Sequence, residues 1–232
     1  MASFEMALEL GADAIEMDIQ LSADGRLVVF HDTHLKRTTG MTGLVESKSW
    51  EEIQRLDAGS WFHRRFGGER VPLLSDVLTR FKARLSHRGR PVQWVIELKA
   101  QETLAKGRRL ARAAFEEIGR YAPDGNAIVI SFEHEYLVEG NFPDVRKGIL
   151  YSKRLKDPVE RARSFGAHLL FPRKDLVSRA LVANAREAHL GVFTWTANSG
   201  REFKRLLDLD VDGITTNYPD RLLKWLEKED GL

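Results

Sequence analysis

Residues 15–32 read IEMDIQLSADGRLVVFHD, a strand-like stretch with acids at one end and a histidine at the other. The Asp-Gly dipeptide at positions 24–25, between two apolar runs, is the strongest short-range signal for a β-hairpin. With these two residues as the turn, Asp18 is expected to face His31 across the hairpin. Because side chains alternate along a strand with a period of two, Glu16 and Asp18 share a face. The stretch therefore predicts that Glu16, Asp18 and His31 converge at one end of a strand.

Short β-branched or aromatic runs alternate with helix-like segments along the chain, a rhythm typical of parallel strands joined by crossover helices. The chain opens on a helix-like segment, Ala2–Leu10, with no strand before it. A (β/α)8 barrel needs eight strands and about 250 residues, whereas this chain has 232 residues. We therefore predict a TIM (β/α)8 barrel that lacks its first β-strand. The strand-like runs are Ala14–Asp18, Val92–Leu98, Ala127–Phe132, Gly148–Tyr151, His168–Phe171, Gly191–Thr196 and Gly213–Thr216.

The alternative architecture is a doubly wound open sheet. No Gly-x-Gly-x-x-Gly turn follows any predicted strand, which weakens the dinucleotide-binding version of that fold. The length predicts a single domain over residues 1–232. The long irregular region at residues 33–73 exceeds an ordinary connection between a strand and a helix. We predict that it is a functional insertion at the C-terminal face of the barrel, where sites in this fold are built.

Composition narrows the classes of function. The net charge is only +2, with basic and acidic residues interspersed, which does not indicate nucleic acid as a partner. No run of about 18 apolar residues occurs, so we expect no stable membrane insertion. The chain has no cysteine, which excludes disulfides and thiolate metal ligands. This cysteine usage favours a cytoplasmic location, although any secretion signal would precede Met1.

A second charged cluster reads ELK at residues 97–99. Glu97 and Lys99 share a face and lie at the C-terminal end of a predicted strand. Glu16, Asp18 and Glu97 could surround a hard divalent cation through oxygen ligands. Clustered carboxylates repel and their pKa values rise, a penalty that a cation or Lys99 removes. The group suits an anionic, phosphate-bearing substrate. The alternative is a structural ion pair between Glu97 and Lys99.

Longer motifs resemble the glycerophosphodiester phosphodiesterase family, and the similarity spans the chain. The long motif at residues 11–43, together with ELK at 97–99 and TWT-x-N at 194–198, is the most specific part of the resemblance. The motifs are GADAIEMDIQLSADGRLVVFHDTHLKRTTGMTG at 11–43, LDAGSWF at 56–62, GERVPLLSDVL at 68–78, VIELK at 95–99, ISF at 130–132, FTWTAN at 193–198 and DGITTNYPD at 212–220.

The resemblance implies a (β/α)8 barrel that hydrolyses a small-molecule glycerophosphodiester to sn-glycerol 3-phosphate and an alcohol, in glycerophospholipid metabolism. Carried over by motif, Glu16, Asp18 and Glu97 would bind Ca2+ or Mg2+. His31 would be one of two histidines that act as general acid and base.

The resemblance also assigns the substrate contacts. Lys99 would contact the phosphate, and Phe132 and Trp195 would line the pocket for the glycerol or the leaving group. Family members begin with a strand ending in His-Arg-Gly, which supplies the second catalytic histidine and an arginine. This chain begins inside the helix that follows, so we expect it to have reduced or no activity. The same tripeptide at residues 87–89 precedes a predicted strand and is expected at the opposite face of the barrel.

Several alternatives stay open at the level of sequence. The start could be mis-assigned or fragmentary, the chain could be a degenerate relative that binds without turnover, or another chain could complete the sheet. One rival function is a non-catalytic phosphate-binding or interaction module on the same scaffold. Another is a related barrel lipase that acts on phospholipids, which the lack of cysteines and of an obvious apolar membrane-binding loop argues against.

Overall fold

The computed structural model describes residues 1–122, 124–140, 142 and 144–229. Its centre is one curled sheet in which β2 alone runs antiparallel, and the order across it is β2-β1-β3-β4-β5-β6-β7-β8. The strands are β1 (Ala14–Leu21), β2 (Leu27–Val29), β3 (Gln93–Leu98), β4 (Ala127–Ser131), β5 (Arg146–Tyr151), β6 (Leu169–Pro172), β7 (Gly191–Thr194) and β8 (Gly213–Ile214).

Helices connect the strands and cover the outer face of the sheet. In α4, Leu74, Val77, Leu78 and Phe81 are buried, the spacing of one apolar helix face. The helices are α1 (Ala2–Glu9), α2 (Lys36–Thr39), α3 (Trp50–Ile53), α4 (Leu74–Phe81), α5 (Leu104–Tyr121), α6 (Pro158–Ser164), α7 (Arg179–Glu187), α8 (Gly200–Leu207) and α9 (Pro219–Glu229). Short 3-10 segments lie at Val45–Ser47, Arg64–Phe66, His134–Glu139 and Lys174–Leu176.

The strand residues divide between two cores. Met17, Ile19 and Ile96 pack between the sheet and its helices. Their neighbours in sequence face the other side, where a smaller core fills the concave surface of the sheet; its buried members are Val95, Ile128, Ile130, Leu150, Leu169 and Phe171. This two-sided burial explains why most strands read as continuous apolar runs rather than as alternating ones.

The sheet is not closed. β1 pairs with β3 over Ala14–Ile19 and with β2 over Ile19–Leu21, while β8 pairs with β7. Within the described ranges, no ladder joins β1 to β8, and a cavity of about 610 Å³ lies between them and is flanked by α1 and α9. The predicted fold, an α/β barrel lacking one strand, is therefore confirmed, and the open sheet of the doubly wound type is excluded by the strand order.

The loop that joins β1 and β2 in the hairpin is one residue longer than predicted. The loop has three residues, 23–25, because Ser22 N donates to Arg26 O at 3.0 Å and Leu21 pairs with Leu27. Only Gly25, at φ +80°, takes a left-handed conformation. Asp24 instead uses its carboxylate to accept from the Ser22 hydroxyl at 2.6 Å. These contacts favour the three-residue loop with a glycine at its end over the two-residue turn.

The register of the hairpin changes accordingly. Phe30 N donates to the Asp18 carbonyl oxygen at 2.9 Å, so Phe30 lies opposite Asp18. The prediction that Asp18 faces His31 across the hairpin is wrong, since a slip of one residue moves every side chain to the other face. His31 follows the last residue of β2 by two positions and belongs to an irregular segment.

Residues 33–73 form a layer beyond the hairpin with a small core of their own. α2, α3 and two 3-10 turns lie in this stretch. The buried residues of this core are Val28, Phe30, Leu35, Val45, Ile53, Val71 and Leu73. That the segment is a functional insertion stays a prediction. In the part of the chain that the structure describes, no helix is long and apolar enough to cross a membrane.

The His-Arg-Gly tripeptide at residues 87–89 lies in the loop that leads into β3. The His87 Nδ1 atom is 2.7 Å from the carbonyl oxygen of Gly11, which precedes β1. The tripeptide is therefore at the N-terminal end of the strands, as predicted, and away from the acidic cluster.

Candidate active site

Three carboxylates converge on the concave face of the sheet. Asp18 of β1 lies opposite Glu97 of β3 in the parallel ladder, and Glu16 precedes Asp18 by two residues on the same face. One carboxylate oxygen from each of Glu16, Asp18 and Glu97 lies within 4.8 Å of the others. The strands therefore bring together the three acids that the sequence singled out.

Lys99 bridges two of these acids. Its Nζ atom is 3.2 Å from Asp18 Oδ1 and 2.9 Å from Glu97 Oε1. The Lys99 main-chain N–H donates to the Ile19 carbonyl oxygen, which anchors the residue beside β1. Lys99 thus pairs with carboxylates of both strands and not with Glu97 alone.

Burial and the charges of neighbouring groups shift the pKa values of Glu16, Glu97 and Lys99. Burial, followed by the charges of Asp18 and Glu97, raises the pKa of Glu16 to about 8. Burial also raises the pKa of Glu97, which Lys99 opposes only in part. For Lys99, burial favours the neutral amine, but Asp18 and Glu97 outweigh it and raise the pKa. Three clustered carboxylates with one ammonium leave an excess of negative charge, and all-oxygen ligands suit a hard divalent cation.

His31 is held by an acid that sequence reasoning left without a role. Its Nδ1 atom is 2.8 Å from Asp32 Oδ1, and its side chain is 69% exposed. The Arg37 guanidinium donates to both oxygens of Asp32, at 2.5 and 3.0 Å, and lowers the pKa of that carboxyl to about 2. An ionised Asp32 places the imidazole proton on Nδ1 and leaves Nε2 available. The adjacent His-Asp pair in the sequence was the signal for this arrangement.

Gln20 fixes the irregular segment that carries His31. This amide is 4% exposed. Its Nε2 atom donates to the carbonyl oxygens of Phe30, at 2.7 Å, and Asp32, at 2.9 Å. In the sequence, Gln20 stands out only as a polar residue between two apolar ones, in IQL. His31 consequently lines a cavity of about 640 Å³ together with Glu16 and Asp18. The predicted convergence is therefore present, although it arises from this side-chain clamp and not from hairpin register.

Phe132 and Trp195 meet at the ends of β4 and β7. Their rings pack edge to face, with centroids 5.5 Å apart. The Trp195 indole N–H donates to the Phe171 carbonyl oxygen at 3.0 Å, which fixes the ring. Neither Phe132 nor Trp195 is among the described residues that line the cavity shared by His31, Glu16 and Asp18, and Glu97 is not among them either.

Two further groups order the loops at this end of the barrel. Tyr136 is buried, and its hydroxyl accepts from Gln101 N at 3.2 Å, while the Gln101 side chain donates to the Lys99 carbonyl oxygen at 3.0 Å. The ring lies against Gly107 of α5, where a Cβ atom would be only 1.9 Å away. Sequence reasoning missed these residues because the contact joins elements distant in the chain.

A second clamp joins the loops after β6, β7 and β8. Glu202 accepts from the N–H groups of Asn198 and Ser199, at 2.8 and 3.0 Å, and pairs with Lys174 at 2.5 Å. Asn198 in turn accepts from Asn217 N at 2.9 Å. The rim opposite the hairpin is therefore tied together by side chains.

Comparison with known proteins identifies the class. A glycerophosphodiester phosphodiesterase of Caldanaerobacter subterraneus subsp. tengcongensis is 35% identical over 98% of this chain and 91% of its own length. The crystal structure of a glycerophosphodiester phosphodiesterase from Agrobacterium tumefaciens is 27% identical, with a TM-score of 0.79 over 94% of this chain and 90% of that one. An Oleispira antarctica phosphodiesterase in complex with the product sn-glycerol-3-phosphate has a TM-score of 0.86 at 23% identity, over 97% and 90% of the two chains.

These similarities define an α/β-barrel phosphodiesterase. The chain belongs to the glycerophosphoryl diester phosphodiesterase family, whose model matches residues 1–221.

Proposed function

We propose that this chain hydrolyses small-molecule glycerophosphodiesters to sn-glycerol 3-phosphate and an alcohol, with Ca2+ or Mg2+ as its cofactor, as a step of glycerophospholipid metabolism. The observation that carries the proposal is the convergence of Glu16, Asp18 and Glu97, bridged by Lys99, beside His31. Membership of the family supports it, as does the bound product in the Oleispira antarctica phosphodiesterase.

The three carboxylates would hold the cation. Burial, and then the charges of Asp18 and Glu97, raise the pKa of Glu16, and this buried excess of negative charge supports a divalent ion at the cluster. A bound divalent cation supplies Lewis-acid polarisation of phosphoryl oxygens. Lys99, already fixed between Asp18 and Glu97, is placed to donate to a phosphate oxygen with the part of its ammonium that neither carboxylate occupies.

His31 would move a proton at its Nε2 atom. Asp32 holds Nδ1 and orients the ring, while Arg37 keeps Asp32 ionised. A positioned general acid or base of this kind contributes typically ~10²–10⁴ in rate. Phe132 and Trp195 would pack against the glycerol or the leaving alcohol, because their paired rings offer an apolar surface at the ends of two strands.

The test is hydrolysis of glycerophosphocholine with Ca2+, with Mg2+ and with a chelator. We expect product only in the presence of a cation, and a loss of roughly 100-fold or more in kcat/KM for Asp18→Asn. Asp13→Asn is the matched control, because Asp13 lies at the opposite end of β1 beside His87 and should leave kcat/KM unchanged.

Two results would contradict the proposal. Equal rates with and without the chelator would mean that hydrolysis does not require the cation. Binding of sn-glycerol 3-phosphate without any turnover under either cation would favour the non-catalytic phosphate-binding module instead.

A further inference from the structure

Three aromatic side chains form a continuous patch on residues 61–66, which we call the aromatic rim: Trp61, Phe62 and Phe66. Ring centroids lie 5.9 Å apart for Trp61 and Phe62, and 5.8 Å apart for Phe62 and Phe66. Trp61 is 49% exposed and Phe62 is 69% exposed. Single exposed apolar residues are ordinary on a protein surface, whereas a contiguous cluster indicates an interaction site.

The aromatic rim borders the cavity that contains Glu16, Asp18 and His31. Met6 of α1 and Leu10, which follows that helix, are also exposed and line the same cavity. Large apolar side chains therefore gather around the opening of the candidate active site. This placement points to a partner that meets the protein at its active-site face.

The charges around the aromatic rim are basic. Arg64 and Arg65 are exposed, and neither has a carboxylate partner within the described residues. Arg65 lies over the Phe66 ring at 4.6 Å, and Arg37 lies over the Trp61 ring at 4.6 Å.

The nearby acids are already engaged by the protein itself. Glu69 pairs with the terminal ammonium at 3.2 Å, and Asp57 accepts from the N–H groups of Gly59, Ser60 and Gly68. The surface next to the aromatic rim is therefore left with unneutralised positive charge.

We propose that the aromatic rim, with Arg64 and Arg65, docks this protein on an anionic lipid surface. Aromatic rings favour the boundary between headgroups and acyl chains, and arginines are attracted to anionic headgroups. The Trp61 indole N–H is already satisfied by the Ala58 carbonyl oxygen at 2.9 Å, so its ring can enter the interface without losing a hydrogen bond. Docking of this kind is peripheral and is independent of the proposed hydrolysis, and it revises the expectation that the chain lacks an apolar membrane-binding loop.

The test is co-sedimentation with vesicles of phosphatidylcholine alone and of phosphatidylcholine mixed with phosphatidylserine. We expect binding to the anionic vesicles, weakened in 0.5 M salt to the level seen with zwitterionic ones, since salt screens surface charge. Phe62→Ser and the double variant Arg64→Glu/Arg65→Glu should each lower the partition coefficient by roughly tenfold or more.

Matched variants at the opposite end of the barrel are the controls. Leu85→Ser removes a side chain that is 57% exposed, and Arg84→Glu/Arg90→Glu makes the same change in net charge. Both should bind vesicles like the unmodified chain, and all variants should unfold at its melting temperature. The proposal is overturned if the unmodified chain does not bind anionic vesicles. It is also overturned if the aromatic-rim variants bind them as well as the control variants do. A dimer in light scattering that Phe62→Ser dissociates, without vesicle binding, would make the patch a contact between copies and would also overturn it.

Discussion

The fold strongly favours the protonated form of Glu16. In the folded chain its pKa is about 8, against 4.5 for an unperturbed glutamate. Between these two values the folded state binds a proton that the unfolded state has released. Folding stability therefore falls as the pH rises through this window. A carboxylate buried for packing alone would be costly, so the penalty at Glu16 is consistent with a site built to receive positive charge.

Replacing Glu16 with glutamine tests this directly. In urea unfolding with a chelator present, the free energy of unfolding of the unmodified chain should decrease between pH 5 and pH 8. The Glu16→Gln variant should lose most of that slope and should be the more stable protein at pH 8, because its amide carries no charge. Adding Ca2+ or Mg2+ at pH 8 should raise the melting temperature of the unmodified chain only. Equal pH slopes for the two proteins would contradict the shifted pKa.

At the scale of elements, the loop after β3 depends on contacts from α5 and from the 3-10 segment at His134–Glu139. The Tyr136 hydroxyl reaches Gln101 only because Gly107 leaves room for the ring. Gln101 then holds the carbonyl group of Lys99. The 3-10 segment that carries Tyr136 has no side chain in the acidic cluster, but it helps to position the main chain of Lys99, whose ammonium bridges Asp18 and Glu97.

Tyr136→Phe should lower the free energy of unfolding by about 0.5–1.5 kcal/mol, because it removes the acceptor of the half-buried Gln101 N–H. Hydrogen exchange at the Gln101 amide should accelerate. Tyr151→Phe is the matched control, since the Tyr151 hydroxyl is buried and has no partner among the described residues. Its removal should leave stability unchanged or increased. If the two variants were equally stable, the contact between Tyr136 and Gln101 would have no energetic role.

For the whole molecule, the open sheet predicts uneven local stability. β3, β4, β5 and β6 are each hydrogen-bonded on both sides. β8, in contrast, has two half-buried residues and, among the strands that the structure describes, pairs with β7 alone. Native-state hydrogen exchange should therefore show the highest protection in β3 to β6 and much lower protection at Gly213 and Ile214, which can open locally. Equal protection across the sheet would indicate that β8 is held by something beyond its pairing with β7.

The sequence was sufficient for features that depend on periodicity. The seven parallel strands, their neighbours along the sheet and the shared face of Glu16 and Asp18 all follow from alternating apolar runs and helices. The convergence of Glu97 with these acids followed from the rule that parallel strands end at one edge. Each of these predictions rests on repeated backbone geometry, which local patterns report well.

What the sequence could not supply depends on individual side chains that meet across long separations. The hairpin register was decided by Ser22 and Asp24, whose hydrogen bonds favour a three-residue loop. The position of His31 was decided by the buried amide of Gln20. Neither effect has a periodic signature. The expectation of reduced activity for this chain stays a prediction, which the glycerophosphocholine assay addresses.

The bridge between Lys99 and the acids has a consequence for electroneutrality. When Glu16, Asp18 and Glu97 are ionised they carry three negative charges, and the Lys99 ammonium offsets one of them. The remainder, two negative charges, is balanced by a divalent ion, whereas Na+ would leave one negative charge and a trivalent ion would add one positive charge. The number of charged groups that the fold gathers would therefore favour a divalent ion at the proposed site. Discrimination between Ca2+ and Mg2+ is a separate matter of coordination number and size.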